Sequence, residues 1–232
     1  MKIDQLLREN KEFDIEKFMS DCAPFLNAMK GTRAYPMRGI KTEHRNISWE
    51  IKDIRSDRKP RDTKLEAHKQ IGAFLKKKFG WNPREEAMFI TGDLQFATLF
   101  GQVYAVFPIG DFKMVWSPDI KDVTNAVDII ASKIISDLIA DNEYSDKTRE
   151  EQDKLDKWVE SEAVDRFLKQ KAARADWKTN DLVGALESGA EISIKASKYY
   201  AFDPLSPEFR LVKRRLNNEK IKTDDQDNED HI

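Results

Sequence analysis

The sequence predicts an α+β fold, because strand patterns and amphipathic helical patterns both recur along the chain. Residues 86–117 are the least charged part of a chain in which 35% of the 232 residues are charged. Ala87 to Ile90 and Val103 to Phe107 are apolar runs of the kind found in buried strands. Elsewhere, apolar residues recur at intervals of three and four, which is typical of the buried face of a helix. We therefore expect a strand-rich core surrounded by helices.

The N-terminal third of the chain combines one helical stripe with two strand patterns. Apolar residues over 12–30 predict a helix that Pro24 would kink, since proline lacks an amide donor. Residues 34–40 are a short strand pattern. Residues 47–54 alternate strictly between apolar and polar, which predicts a half-buried strand.

Two helices are predicted from their capping residues. Thr63 and Glu66 form a capping-box pattern, and the helix that they begin would end at Gly80. In the central stretch, Asp93 is a good cap for a short helix that Gly101 would end.

The region 120–180 is predicted to be a helical insert. Apolar residues over 123–138 form a strong helical stripe, residues 141–153 are polar and predict a loop, and residues 155–173 predict one or two further helices.

The last part of the chain returns to strands and then becomes polar. Residues 181–187 predict a short helix, and Gly189 is expected to end it in the left-handed conformation. Residues 191–196 and 199–202 predict one strand or two. Residues 217–232 carry many charges and no aromatic residue, which predicts a disordered acidic tail.

Composition argues against several classes of protein. No apolar run is long enough to span a membrane, and the first ten residues lack the apolar core of a signal peptide. Cys22 is the only cysteine, so no internal disulfide is possible and we expect a cytoplasmic protein. A net charge of −2 gives no global attraction to nucleic acid. The histidines are too far apart in sequence to predict a metal site.

Three short motifs occur in order along the chain, and each of them alone is common in proteins without a catalytic site. The first is Arg38-Gly39 at the end of a predicted strand. The second is Thr91-Gly92-Asp93, which Ala97 and Phe100-Gly101 follow. The third is Glu191 at the start of a predicted strand, with Tyr199 and Tyr200 behind it.

Together, these motifs resemble those of the mono-ADP-ribosyltransferases, over residues 34–203. That family has an arginine on its first core strand, a strand that contains serine or threonine, and a catalytic glutamate at the start of a later strand. The resemblance implies a split β-sheet core with surrounding helices. It also implies an N-terminal helical segment over 1–33, an ADP-ribosyltransferase-like domain over 34–216 that includes the insert, and the tail over 217–232.

The resemblance also implies NAD as a substrate and a role for each motif residue. Glu191, Arg38 and Thr91 would be catalytic, and Arg38, Gly39, Tyr199 and Tyr200 would contact NAD. Cleavage of the nicotinamide–ribose bond passes through an oxocarbenium-like state, which a carboxylate such as that of Glu191 stabilises. The fork of Arg38 suits a diphosphate or a ribose.

The remaining implied roles belong to a hydroxyl, an aromatic ring and a second arginine. The Thr91 hydroxyl would hold the glutamate in place, and Tyr199 or Tyr200 would stack on nicotinamide. Arg55, in the charged segment 55–62, competes with Arg38 for the family's arginine role; we prefer Arg38 because Gly39 follows it.

The sequence departs from the family in two places. Thr91-Gly92 stands where many members have Ser-Thr-Ser, and Gly189 stands where arginine-specific members carry an acidic residue. Arginine is therefore a less expected acceptor, and the acceptor remains open as a host protein or a nucleic acid. The overall composition also resembles that of proteins from large tailed phages, for which the site of action would be the host cytoplasm.

Two other functions remain open from the sequence. The chain could be a non-catalytic phage or host-takeover protein, binding or structural, that retains this fold. It could also bind nucleic acid through basic clusters at 55–61, 76–78 and 210–215, although acidic residues are interleaved with them. An enzyme predicts that Arg38, Thr91 and Glu191 meet in one cleft.

Overall fold

Two antiparallel sheets and the helices around them make up this α+β protein. The computed structural model describes residues 12–41, 48–56, 65–140 and 147–229, with side chains as far as residue 218. Over these ranges the helices α1 to α9 are, in chain order, Ile15–Asp21, Ala23–Ala28, Leu65–Phe79, Pro83–Glu86, Leu94–Thr98, Val123–Ala140, Arg149–Arg166, Leu182–Ser188 and Pro207–Glu229. The strands β1 to β7 are Met37–Ile40, Trp49–Asp53, Met88–Ile90, Gln102–Ile109, Lys113–Val115, Ile192–Lys195 and Lys198–Phe202.

The strands form one four-stranded sheet and one three-stranded sheet. Their orders are β1-β4-β7-β2 and β3-β6-β5, and each neighbouring pair is antiparallel. The two sheets are joined at one backbone bridge, in which the Met37 amide donates to the Thr91 carbonyl at 2.7 Å and the Thr91 amide donates to the Met37 carbonyl at 2.9 Å. Ala196 and Ser197 connect β6 in one sheet directly to β7 in the other.

An aromatic core covers one face of the four-stranded sheet. Phe18 of α1 packs edge-on against Phe107 and Tyr200, with ring centroids 5.2 Å apart in both cases. Phe209 of α9 stacks on Phe202 in the same cluster. The described part of the N-terminal helical segment is therefore built into the same core as the sheets.

The helices of the predicted insert form a second hydrophobic cluster. Val127 of α6 and Val164 of α7 are buried there with Ile71 of α3. A π-helical turn over Phe167–Ala172 continues α7 and adds Phe167 to the cluster. Although α6 and α7 each contain 18 residues, no helix in the described ranges is long and apolar enough to cross a membrane.

The helices near both ends of the chain differ from the sequence prediction. The stripe over 12–30 forms two helices that meet at Cys22, because Pro24 occupies the first turn of α2, where its missing amide donor costs nothing. At the other end, α9 continues to Glu229, where the sequence predicted a disordered tail over 217–232. The segment 217–229 contains neither glycine nor proline, so nothing in it breaks the helix; residues 230–232 lie outside the described residues.

The sequence prediction did not include the capping box at the start of α7. The polar segment 141–153 was predicted to be a loop, but α7 begins at Arg149 inside it. Thr148 caps α7 by accepting from the Glu151 amide, and the Glu151 side chain accepts from the Thr148 amide. The predicted capping residue Thr63 lies outside the described residues.

Cys22 and Tyr200 share one buried polar corner of the aromatic core. The Tyr200 hydroxyl donates to Asp21 Oδ2 at 2.8 Å, and Cys22 Sγ lies 3.8 Å from the Phe107 carbonyl. Burial raises the pKa of both groups, and the hydrogen bond to Asp21 raises the pKa of Tyr200 further.

We predict that the free energy of unfolding falls as the pH rises above 9.0, the ordinary pKa of a cysteine. The folded protein keeps both protons, whereas the unfolded chain releases them near pKa 9.0 for cysteine and 10.0 for tyrosine. Because the unfolded state then binds fewer protons, each group lowers this free energy by about 1.4 kcal/mol per pH unit above its ordinary pKa.

Urea denaturation at a series of pH values above 9.0 measures how steeply the free energy of unfolding falls with pH. The double variant Cys22→Ala/Tyr200→Phe lacks both protons, so its stability should decline less steeply with pH than that of the wild-type chain. Equal slopes for the two proteins would contradict the prediction.

Candidate functional site

A cavity of about 660 Å³ lies where the two sheets meet. Its wall includes β1, β3, the end of β2, Tyr199 of β7 and the residues at the start of α6. The volume is within the range of small-molecule sites, which is roughly 300–1,000 Å³.

Strand pairing brings Arg38, Thr91 and Glu191 together in the lining of this cavity. Arg38 follows Met37, which forms the bridge to Thr91. Glu191 immediately precedes β6, which pairs with β3 in a register that sets the residue after Glu191 opposite the residue before Thr91. Three residues that are far apart in sequence are therefore neighbours through two backbone pairings.

Arg38 brings a partly buried positive charge to the cavity. Its Nη1 donates to the Phe89 carbonyl at 3.4 Å, and its Cζ lies 6.0 Å from the centroid of the Tyr199 ring. Its Nε is buried without a hydrogen-bond partner, and among the described residues Arg38 forms no ion pair. Burial lowers the pKa of Arg38 while Tyr199 acts in the opposite direction, but arginine remains charged in proteins. Arg38 therefore places a positive charge in the cavity lining.

Glu191 is ion-paired to Arg84, a residue that the sequence prediction did not include. Arg84 Nη1 lies 3.1 Å from Glu191 Oε1, and the two side chains are only 7% and 14% exposed. Arg84 Nη2 donates to Thr124 Oγ1 at 3.4 Å, and its Cζ lies 4.8 Å from the centroid of the Phe89 ring. The sequence carries little signal for this arginine, since most arginines are exposed.

The short helix α4 is ion-paired to both ends of β6. Arg84 pairs with Glu191 just before the strand, and Glu86 pairs with Lys195 at its end. Asn82 fixes the start of α4, because its side chain accepts from the Arg84 amide at 3.0 Å. The Arg84–Glu191 pair thus also contributes to the packing of α4 on the sheet.

Thr91 contacts the backbone that leads into Glu191. Its hydroxyl donates to the Gly189 carbonyl at 2.9 Å and accepts from the Asp93 amide at 3.0 Å. The side chain is buried. Thr91 therefore fixes the chain two residues before Glu191.

The other residues singled out in the sequence divide between the cavity and the core. Gly39, Tyr199 and the exposed Arg55 line the cavity with Arg38, so both candidate arginines border it. Tyr200 is outside the cavity lining, because successive residues of β7 face opposite sides of the sheet and Tyr200 packs in the aromatic core.

Acidic residues at the start of α6 also border the cavity. Asp122 and Asp128 line it, and burial raises the pKa of Asp128, with a further contribution from the charge of Asp122. The buried His68 of α3 lies in the same wall. No group of three or more potential metal ligands occurs in the part of the chain that the structure describes.

Two motif glycines allow helices to approach the strands closely. A Cβ on Gly39 would lie 2.2 Å from the Ala97 carbonyl oxygen of α5. A Cβ on Gly92 would lie 1.9 Å from the Leu186 carbonyl oxygen of α8. Both distances are far below van der Waals contact, so any residue with a Cβ would overlap the backbone of the neighbouring helix at these two positions.

We predict that Gly92→Ala destabilises the fold more than Gly31→Ala. The first substitution forces the backbone of α8 away, and overpacking of this kind costs about 1–3 kcal/mol or more. Gly31 has a φ of 98° with open space around it, so alanine there costs only backbone strain, about 1–2 kcal/mol. Urea denaturation of both variants measures the difference, and equal losses would show that close approach is not what demands glycine at 92.

Comparison with known proteins gives no indication of function, so the geometry of the cavity is the evidence that remains. No protein-family model matches the chain, and neither a curated protein nor a solved structure matches it.

Proposed function

We propose that the protein is an NAD-dependent mono-ADP-ribosyltransferase that modifies a host macromolecule, and that it hydrolyses NAD when no acceptor is present. The observation that supports this most is the convergence of Arg38, Thr91 and Glu191 in one cavity. The family that the three motifs resemble uses an arginine, a serine or threonine, and a glutamate in that order.

The reaction requires one bond to break and one to form. The bond between ribose C1′ and the nicotinamide nitrogen breaks, and its electron pair leaves with neutral nicotinamide. A nucleophile of the acceptor, or water, then bonds to C1′ and loses a proton. The carboxylate of Glu191 stabilises the positive charge that develops on the ribose.

We assign Arg38 to the diphosphate of NAD. Arg38 is buried at Nε without a hydrogen-bond partner and has no ion-pair partner among the described residues. A diphosphate beside it would supply the missing acceptors and compensate the buried charge. The Tyr199 ring, whose centroid lies 6.0 Å from Arg38 Cζ, also lines the cavity.

A non-catalytic binding protein is the second candidate. Glu191 is already paired with Arg84, and the Thr91 hydroxyl is bonded to the Gly189 carbonyl. Both contacts stabilise the fold without any ligand, as they would in a protein that keeps this architecture but lacks catalysis.

Labelled NAD distinguishes the two candidates. We expect the wild-type protein to release nicotinamide and, in a bacterial lysate, to transfer label to a macromolecule. Glu191→Gln should lower both rates by about 10²-fold or more, because the charge that stabilises the transition state is lost. Glu86→Gln is the matched control: it also removes a carboxylate that is ion-paired across α4 and β6, and it should retain activity.

The acceptor and the alternative are read from the same assay. Loss of the labelled product on protease or nuclease treatment would identify the acceptor as protein or nucleic acid. If folded wild-type protein neither releases nicotinamide nor transfers label, the enzyme is excluded and the binding protein is favoured.

A further inference from the structure

We propose that Arg84 is a positioning residue that fixes the Glu191 carboxylate in the cavity. This inference rests on the proposed function, since it assigns a role to Arg84 in the reaction attributed to Glu191. Arg84 lies outside all three sequence motifs.

The guanidinium of Arg84 is held from three directions. Glu191 Oε1 lies 3.1 Å from Nη1, Thr124 Oγ1 lies 3.4 Å from Nη2, and the Phe89 ring lies 4.8 Å from Cζ. These partners belong to three different parts of the fold: the approach to β6, the first turn of α6, and β3. The guanidinium is therefore restrained by the fold, and its contact with Oε1 favours one position of that carboxylate oxygen.

The backbone that carries Arg84 is also restrained. Pro83 begins α4, and the Asn82 side chain accepts from the Arg84 amide at 3.0 Å. Asn82 in turn packs on α3 beside Gly72, where a Cβ would lie 2.8 Å from the Asn82 side chain. Arg84 therefore extends toward Glu191 from a fixed turn.

Phe89 connects this arrangement to the second arginine of the cavity. Its carbonyl accepts from Arg38 Nη1, and its ring packs against the guanidinium of Arg84. One residue of β3 thus contacts both the arginine that would bind the diphosphate and the arginine that is paired with Glu191.

A purely structural role predicts a different result, and the chain offers the control. The Glu86–Lys195 pair joins α4 to the other end of β6. If Arg84 only attaches α4 to the strand, removing either ion pair should leave kcat of the folded protein unchanged, although the more deeply buried Arg84–Glu191 pair contributes more to stability. If Arg84 positions Glu191, only its own removal should change the rate of the chemical step.

The test compares Arg84→Gln, Arg84→Lys and Glu86→Gln by their steady-state constants for NAD hydrolysis. We expect Arg84→Gln to lower kcat about 10²-fold, with KM for NAD nearly unchanged, because a displaced catalytic group affects the transition state. Arg84→Lys should recover part of kcat, since it keeps the charge without the planar fork. Glu86→Gln should leave kcat close to that of the wild-type protein.

A double variant shows whether Arg84 acts through Glu191. Adding Arg84→Gln to Glu191→Gln should cause no further loss of kcat, because residues that act as a unit are not additive. Urea denaturation reports whether each variant is folded. If Arg84→Gln does not fold, Arg84→Lys takes its place: a kcat between those of the wild-type protein and Glu191→Gln, at unchanged KM, supports the positioning role.

Two negative results have different meanings. If the wild-type protein is active and Arg84→Gln matches Glu86→Gln, the positioning role is wrong and the proposed function stands. If the folded wild-type protein has no turnover of NAD, the proposed function is wrong and the positioning role falls with it.

Discussion

The bridge between Met37 and Thr91 is the constraint on which the candidate site depends. Its two hydrogen bonds join the edge strand of the larger sheet to the end of β3 in the smaller one. Arg38 follows the first bridge residue, and the pairing of β3 with β6 brings in Glu191 beside the second. The cavity is therefore defined by backbone geometry, and the helices packed around the sheets enclose it.

Two arginines of the cavity lining lie in unequal surroundings. Arg84 is matched by a carboxylate and a hydroxyl, so its charge is compensated within the fold. Arg38 donates to a backbone carbonyl and has no ion pair in the described part of the chain. Removing the partner of a buried charge is costly, so the fold depends on the Arg84–Glu191 pair in a way that it does not depend on Arg38.

The sequence predicted those features that local chemistry determines. Asp93 caps its helix and Gly189 ends its own in the left-handed conformation, both as expected. Arg84 could not be found in this way, because its burial depends on partners from β6, α6 and β3 that are distant in sequence. Tyr200 shows the same limit: alternation says that the two tyrosines face opposite sides, but only the packing of α1 decides which of them enters the core.

The direct connection of β6 to β7 also limits which mutations this chain can accept during evolution. Only Ala196 and Ser197 separate a strand of one sheet from a strand of the other. Because side chains alternate along a strand, a one-residue insertion or deletion here would exchange the faces of Tyr199 and Tyr200. It would move the Tyr200 hydroxyl, which now donates to Asp21, to the cavity side of the sheet and turn Tyr199 toward the aromatic core. Related chains are thus expected to vary at this connection by substitution alone, while length changes collect in the longer connections between helices.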